Sequence, residues 1–165
     1  MTGKPDPLLQ AGRAVLRRHR DDMRAAVEGL PPEAINWRPP GDDTNSIAVL
    51  AHHAWHSTRQ WLSVTVEAPL PDRDRTAEFG VSYDSAEDLI AGIDAISEEC
   101  LALISREQHI DPDAIRTHWD ADSDLKFNAA WTLLHALEHL GEHLGHVGLT
   151  RQIWNATAER ESSMP

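Results

Sequence analysis

Four stretches of this chain repeat apolar residues at steps of three and four, and none alternates as a half-buried strand would. The spacing predicts helices over 7–29, 46–66, 85–105 and 128–156. In the first, Leu8, Val15, Leu16, His19, Met23, Ala26 and Val27 form one face. Asp6 suits its N-cap and Pro7 its first position, where no N–H is needed; Gly29 and Pro31-Pro32 stop it. The second carries Ile47, Leu50, Ala51, Ala54, Trp61 and Leu62, with Thr44, Asn45 or Ser46 as cap. The third carries Leu89, Ile93, Ile96, Cys100 and Leu103, with Asp84 and Glu87 read as a cap and acidic first turn. The fourth carries Trp131, Leu134, Leu137, Leu140, Leu144 and Val147, and also Gly141, Gly145 and Gly148. Each glycine costs a helix roughly 1 kcal/mol against alanine, so a close approach by another backbone or a ligand is expected there.

Long helices without strands argue an all-α four-helix bundle. The links are about 16 to 22 residues long, too long for simple hairpins between neighbours. Such links can run back along a helix and leave two neighbours parallel, so crossover connections are expected. The last link, Glu107 to Phe127, suits either a small hairpin or a loop lining a site.

At 165 residues the chain suits one domain, 1–165, able to bury roughly two-thirds of its unfolded surface. Its formal net charge of −12 disfavours nucleic acid. One cysteine, Cys100, excludes an internal disulfide or a thiolate cage and fits a reducing cytoplasm. Cys100 lies on an apolar stripe and reads as a small buried hydrophobe. Met1 to Pro7 is polar and unlike a targeting segment, and no run of about 18 apolar residues suggests a membrane span. Glu159 to Pro165 reads as a frayed tail.

Ten histidines are an excess, and seven of them fall in two predicted helices. One cluster is His52, His53 and His56; the other is His135, His139, His143 and His146. Residues four apart stand one turn apart on one face, so His139 and His143 can grip one ion. The third ligand must come from a facing helix, from His53 or His52. These two diverge by about 100° and cannot both look inward. His53 is preferred because it borders the apolar face. Three neutral imidazoles suit a divalent transition metal and leave a position for substrate. Glu138 and Glu142, each just before a candidate ligand, could orient it or act as a base. His19 reads as a core or seam residue, and His109 and His118 as exposed loop residues. No nucleophile elbow, Walker A loop or dinucleotide fingerprint occurs.

Two motifs carry a family resemblance. Asn36-Trp37-Arg38-Pro39-Pro40-Gly41, then Asn45-Ser46-Ile47-Ala48, then His53 and His56, resemble the stretch leading into the second helix of the DinB-like superfamily. The run from Trp131 to His146 resembles that superfamily's last helix, above all in the branch related to mycothiol-dependent maleylpyruvate isomerases. The resemblance spans about residues 8 to 156. It implies a four-helix bundle of DinB type, up-down-down-up, with a long crossover between helices two and three. It implies a metal on His53, His139 and His143, zinc or nickel being the leading candidates. It leaves His56, His135, Glu138, Glu142 and His146 as orienting or catalytic partners.

Characterised relatives are thiol S-transferases or isomerases that use bacillithiol, mycothiol or glutathione. The resemblance therefore implies an S-transferase, a small-molecule substrate and a low-molecular-weight thiol from outside. Arg38, Arg59 and Arg151 are candidates to hold a carboxylated cofactor. The same ligands would also allow a metal-dependent hydrolase. A further alternative is a non-catalytic bundle that binds metal or a small ligand, with its six tryptophans lining a pocket or interface. A homodimer fits both the glycine strip and the resemblance.

Overall fold

The computed structural model describes residues 6–106, 109–119 and 124–162. Four long helices dominate: α1 (Pro7–Val27), α3 (Ile47–Thr65), α5 (Ala86–Arg106) and α6 (Ala129–Ser162). Two short helices lie in the links, α2 (Pro32–Asn36) and α4 (Arg75–Glu78). The last link holds an antiparallel pair, β1 (Ile115–Thr117) and β2 (Lys126–Asn128), with Arg116 opposite Phe127. The link therefore forms the small hairpin, and its Trp119 also lines a cavity, so both expected features occur in it.

The helix ends follow local chemistry. Asp6 accepts from the amides of Leu8 and Leu9, and Ser46 accepts from Val49. At α5 the cap is Ser85, not Asp84. Its Oγ accepts from the Asp88 amide and donates back to the Asp88 carboxylate. The residue types are those of a capping box, displaced one residue from the expected pair, but the acid here accepts from the cap's hydroxyl rather than from its backbone N–H. α6 runs on to Ser162, beyond the expected stop at 156 and through Glu159 of the expected tail. Residues 163–165 of that tail lie outside the described residues.

Side-chain contacts fix the helix directions. Arg13 donates to the Ile104 carbonyl and Arg24 pairs with Asp94, so α1 and α5 run antiparallel. Arg59 pairs with Glu99, while His52 reaches Tyr83 just before α5, so α3 and α5 run parallel. Thr65 bonds Thr132, while the His53 ring lies beside His143, so α3 and α6 run antiparallel. Gly12 lies against Leu133 and Arg151 caps the carbonyls of Ala25 and Ala26, so α1 and α6 run parallel. Only a link that returns along a helix can make α3 and α5 parallel neighbours. The segment 66–85 does so.

The core joins Leu9, Leu16, Met23, Trp55, Leu62, Leu89, Ile104, Leu133 and Leu140. Two faces differ from expectation. In α1 Leu9 is fully buried and Leu8 only partly. In α6 the buried positions are Ala129, Thr132, Leu133, Ala136, Leu140, Val147 and Thr150, while Trp131 and Leu134 are exposed. The first half of α6 is apolar on more than one side, so spacing alone cannot choose the face that meets α1 and α3. Cys100 is buried as expected, and burial pushes its thiol far above the ordinary range. A close approach occurs at Gly141, where a Cβ would stand 3.2 Å from the His19 ring; nothing lies near Gly145 or Gly148. Among the described residues no helix is long and apolar enough to cross a membrane.

Candidate metal centre

α3 and α6 pass each other antiparallel and bring His53, His139 and His143 together. One ring nitrogen from each lies within 4.8 Å of the others. His139 and His143, one turn apart, hold their Nε2 atoms 3.3 Å from each other. Two nitrogens each ~2.0–2.1 Å from a tetrahedral zinc stand about 3.3 Å apart, so this pair fits a shared ion.

The choice between His53 and His52 is made by helix rotation. His53 faces α6. His52 points to the α5 side, where Nδ1 lies 2.8 Å from the Tyr83 hydroxyl and its ring stacks on His56. His56 therefore neighbours His52 and lines a small cavity with Tyr83 and Ile93.

His53 is oriented by the crossover. Its Nδ1 lies 2.9 Å from Glu78 Oε2. Burial pushes the Glu78 carboxyl up, but bonds from Arg73 and His53 outweigh it and hold it below the usual range. An ionised carboxylate only accepts, so Nδ1 carries the proton and Nε2 is the atom His53 can offer. Arg73 locks the carboxylate in place through Nε and Nη2, and its Nη1 donates to Gln60 Oε1. A carboxylate holding the far nitrogen of a ligating histidine is the usual support of a metal site.

The imidazoles are kept neutral. Burial and the neighbouring histidines lower His139 and His143 to about 4. Burial also lowers His53. Neutral rings are the ligating form. The Nδ1 atoms of His139 and His143 are buried without a partner among the described residues, so only His53 has a carboxylate behind it.

Two cavities flank the cluster. One, of about 400 Å³, is lined by His53, His139, His135, Trp61, Trp119 and Arg73, among others. The other, of about 350 Å³, is lined by His143, His146, Leu50, Leu149 and Ile153 among others.

A family model described as the DinB superfamily matches residues 15–147. The chain belongs to the DinB superfamily. No curated protein matches the sequence. A solved structure of a conserved protein from Enterococcus faecalis is similar at a TM-score of 0.68. Its sequence is 14% identical, over 87% of this chain and 94% of that one, so the likeness is one of fold.

The remaining candidates of this DinB-superfamily chain fall in different places. His135 stacks on Trp131, meets Trp61 edge-on and lies 3.3 Å from Glu138. His146 sits beside His143 and is exposed. Glu138 and Glu142 are exposed on α6. Arg38 donates to the Phe79 carbonyl, Arg59 to Glu99, and Arg151 to the end of α1. Each of the three thus has a partner within the protein, and Arg59 also lines a separate cavity with Glu99 and Arg106. Arg38 and Asn36 pin the crossover that carries Glu78, since Asn36 grips both the N–H and the carbonyl of Tyr83. His118, expected to be exposed, is half-buried and stacks on Trp119. His109 is exposed and reaches Asp6.

Sequence reasoning missed Arg73, Glu78, Gln60 and Ser57. A buried acid among charged link residues leaves no periodic signal. The only available hint was the short run Arg73, Arg75 and Glu78 in a link already expected to return along the helices.

Proposed function

We propose that this protein is a metal-dependent S-transferase in which His53, His139 and His143 hold a divalent transition metal. The observation that carries the reading is the convergence of three neutral imidazoles, two of them at a tetrahedral ligand spacing, beside open cavities. When bound, such a metal supplies a Lewis acid that lowers the pKa of a thiol toward neutrality. The chain orients His53 through Glu78, and Arg73 keeps that carboxylate ionised. Trp61 and Trp119 give the cavity beside the cluster an aromatic wall. The thiol comes from outside, because Cys100 is buried with a strongly raised pKa.

In the transfer, a sulfur–carbon bond forms as the bond from that carbon to its leaving group breaks. The leaving group departs with the bonding pair, and the thiol proton passes to solvent. Cavities on both sides of the cluster suit a reaction of two organic partners, a low-molecular-weight thiol and an electrophile. Hydrolysis would need only one. The reading takes the chain as one domain whose four long helices form an up-down-down-up bundle, supported by the parallel pair α3 and α5.

Metal analysis of protein purified without an affinity tag tests the reading. The wild type should carry stoichiometric divalent metal, and His139→Ala and His143→Ala should lose it. Thiol conjugation, screened with small electrophiles, should follow the metal. A wild type that binds no supplied zinc or nickel overturns the proposal.

A further inference from the structure

The cavity on the Arg73 side has a chemistry that metal ligation does not use. Arg75, at the start of α4, lines it and lies over the Phe79 ring at 5.6 Å. Phe79 in turn lies against His53, with ring centroids 5.1 Å apart. Arg73 is neutralised by Glu78, but Arg75 has no ion pair or hydrogen bond among the described residues. An unneutralised guanidinium at the mouth of a cavity, in a chain of net charge −12, is a selective feature for anions.

Two further groups point the same way. Ser57 is 5% exposed, lines the cavity and has no hydrogen-bond partner among the described residues. Thr58, Ser63 and Thr65, on the same helix, each bond back to the carbonyl four residues earlier. Ser57 does not, so its hydroxyl is left for whatever enters. Gln60 is equally buried, and its Oε1 is taken by Arg73. Arginine only donates, which fixes the amide and leaves its NH₂ without a partner. Both residues are more than nine-tenths buried and line the cavity, so an acceptor that enters it can take these two donors.

The opposite wall is aromatic. Trp61 and Trp119 meet edge to face at 4.7 Å, backed by Phe127 and Trp131. Such a wall takes a flat apolar body.

We infer that this cavity binds a small carboxylate with a flat aromatic or unsaturated body. The carboxylate is held by Arg75, the Ser57 hydroxyl and the Gln60 amide, and the body lies against Trp61 and Trp119. The inference rests on the reading above only for the identity of this ligand as the electrophilic substrate; the binding itself needs no metal.

Calorimetric titration and tryptophan fluorescence test it on the full-length protein, as purified and after metal removal. The probes are benzoate and trans-cinnamate, with benzyl alcohol and cinnamyl alcohol as neutral counterparts and acetate as the bodiless anion. The acids should bind both forms and quench fluorescence, at least about tenfold tighter than the alcohols and than acetate. Arg75→Gln, at an exposed position and with native folding checked by circular dichroism, should lose at least about tenfold for the acids and little for the alcohols. Ser57→Ala should weaken the acids by a smaller factor. Acids that bind no better than their alcohols overturn the inference, as does an Arg75→Gln protein that binds like wild type. Binding seen only with metal present, and indifferent to Arg75, assigns the carboxylate to the metal and also overturns it. Metal loss in the histidine variants is read separately, so either proposal can fail alone.

Discussion

Nδ1 of His53 lies 2.9 Å from Oε2 of Glu78, a residue 25 positions further along the chain. The bond ties a helix residue to the end of the crossover and sets which nitrogen His53 presents to α6. Glu78→Gln removes the charge while keeping the shape. We expect metal affinity to fall about 10–100-fold, as for other supports of metal-bound histidines. Competition against a chromophoric chelator measures it. The same variant leaves the Arg73 guanidinium buried without its carboxylate, so the metal-free protein should also melt lower. Unchanged affinity would mean that Glu78 does not orient His53.

Acid should destabilise the metal-free protein earlier than its carboxylates alone would require. Burial lowers His56, His139 and His143 to about 4 each, while unfolded histidines titrate near 6.5. Below about pH 6.5 the unfolded state takes up protons that the folded state refuses until about 4. Stability is therefore full above that window and lost as pH falls through it. Urea midpoints should decline steadily between about pH 7 and 4.5. A flat profile there contradicts buried, neutral rings.

The three glycines of α6 should respond differently to alanine. Nothing stands near a Cβ at Gly145 or Gly148, so each replacement should gain up to about 1 kcal/mol of helix propensity. At Gly141 the new methyl meets the His19 ring at 3.2 Å, and the gain should vanish. It should return when His19→Ala is added. Melting of the single and double variants measures this coupling.

Cys100 should be inert in the folded protein. It is buried with a raised pKa, and thiolates rather than thiols react. A chromogenic disulfide reagent should label it only after unfolding, and Cys100→Ala should leave any thiol-transfer activity in place. Rapid labelling of the native protein would refute this.

Local physics made much of this molecule legible beforehand. The helix period alone places His139 and His143 on one face, because four residues are about one turn. Asp6 as a cap and the proline-bounded helix starts rest on backbone groups within a few residues. The length of the 66–85 link allowed a return along the helices, and α3 and α5 are parallel neighbours. The glycine spacing pointed to a close approach, although only Gly141 has one.

Other features depend on tertiary packing. α3 is buried on almost every side, so its apolar pattern cannot state its rotation. That rotation sends His53 toward α6 and His52 toward Tyr83. In α6 Leu137, Leu140, Leu144 and Val147 meet the core as their spacing predicts, but Trp131 and Leu134 do not: where a helix is apolar on more than one side, the neighbours choose. Glu78 and Arg73 reach His53 because Asn36 and Arg38 pin a link with no period of its own. A spacing rule relates residues within one helix. It says nothing about two side chains that meet only after a 20-residue link has folded back, and such meetings set the chemistry of this site.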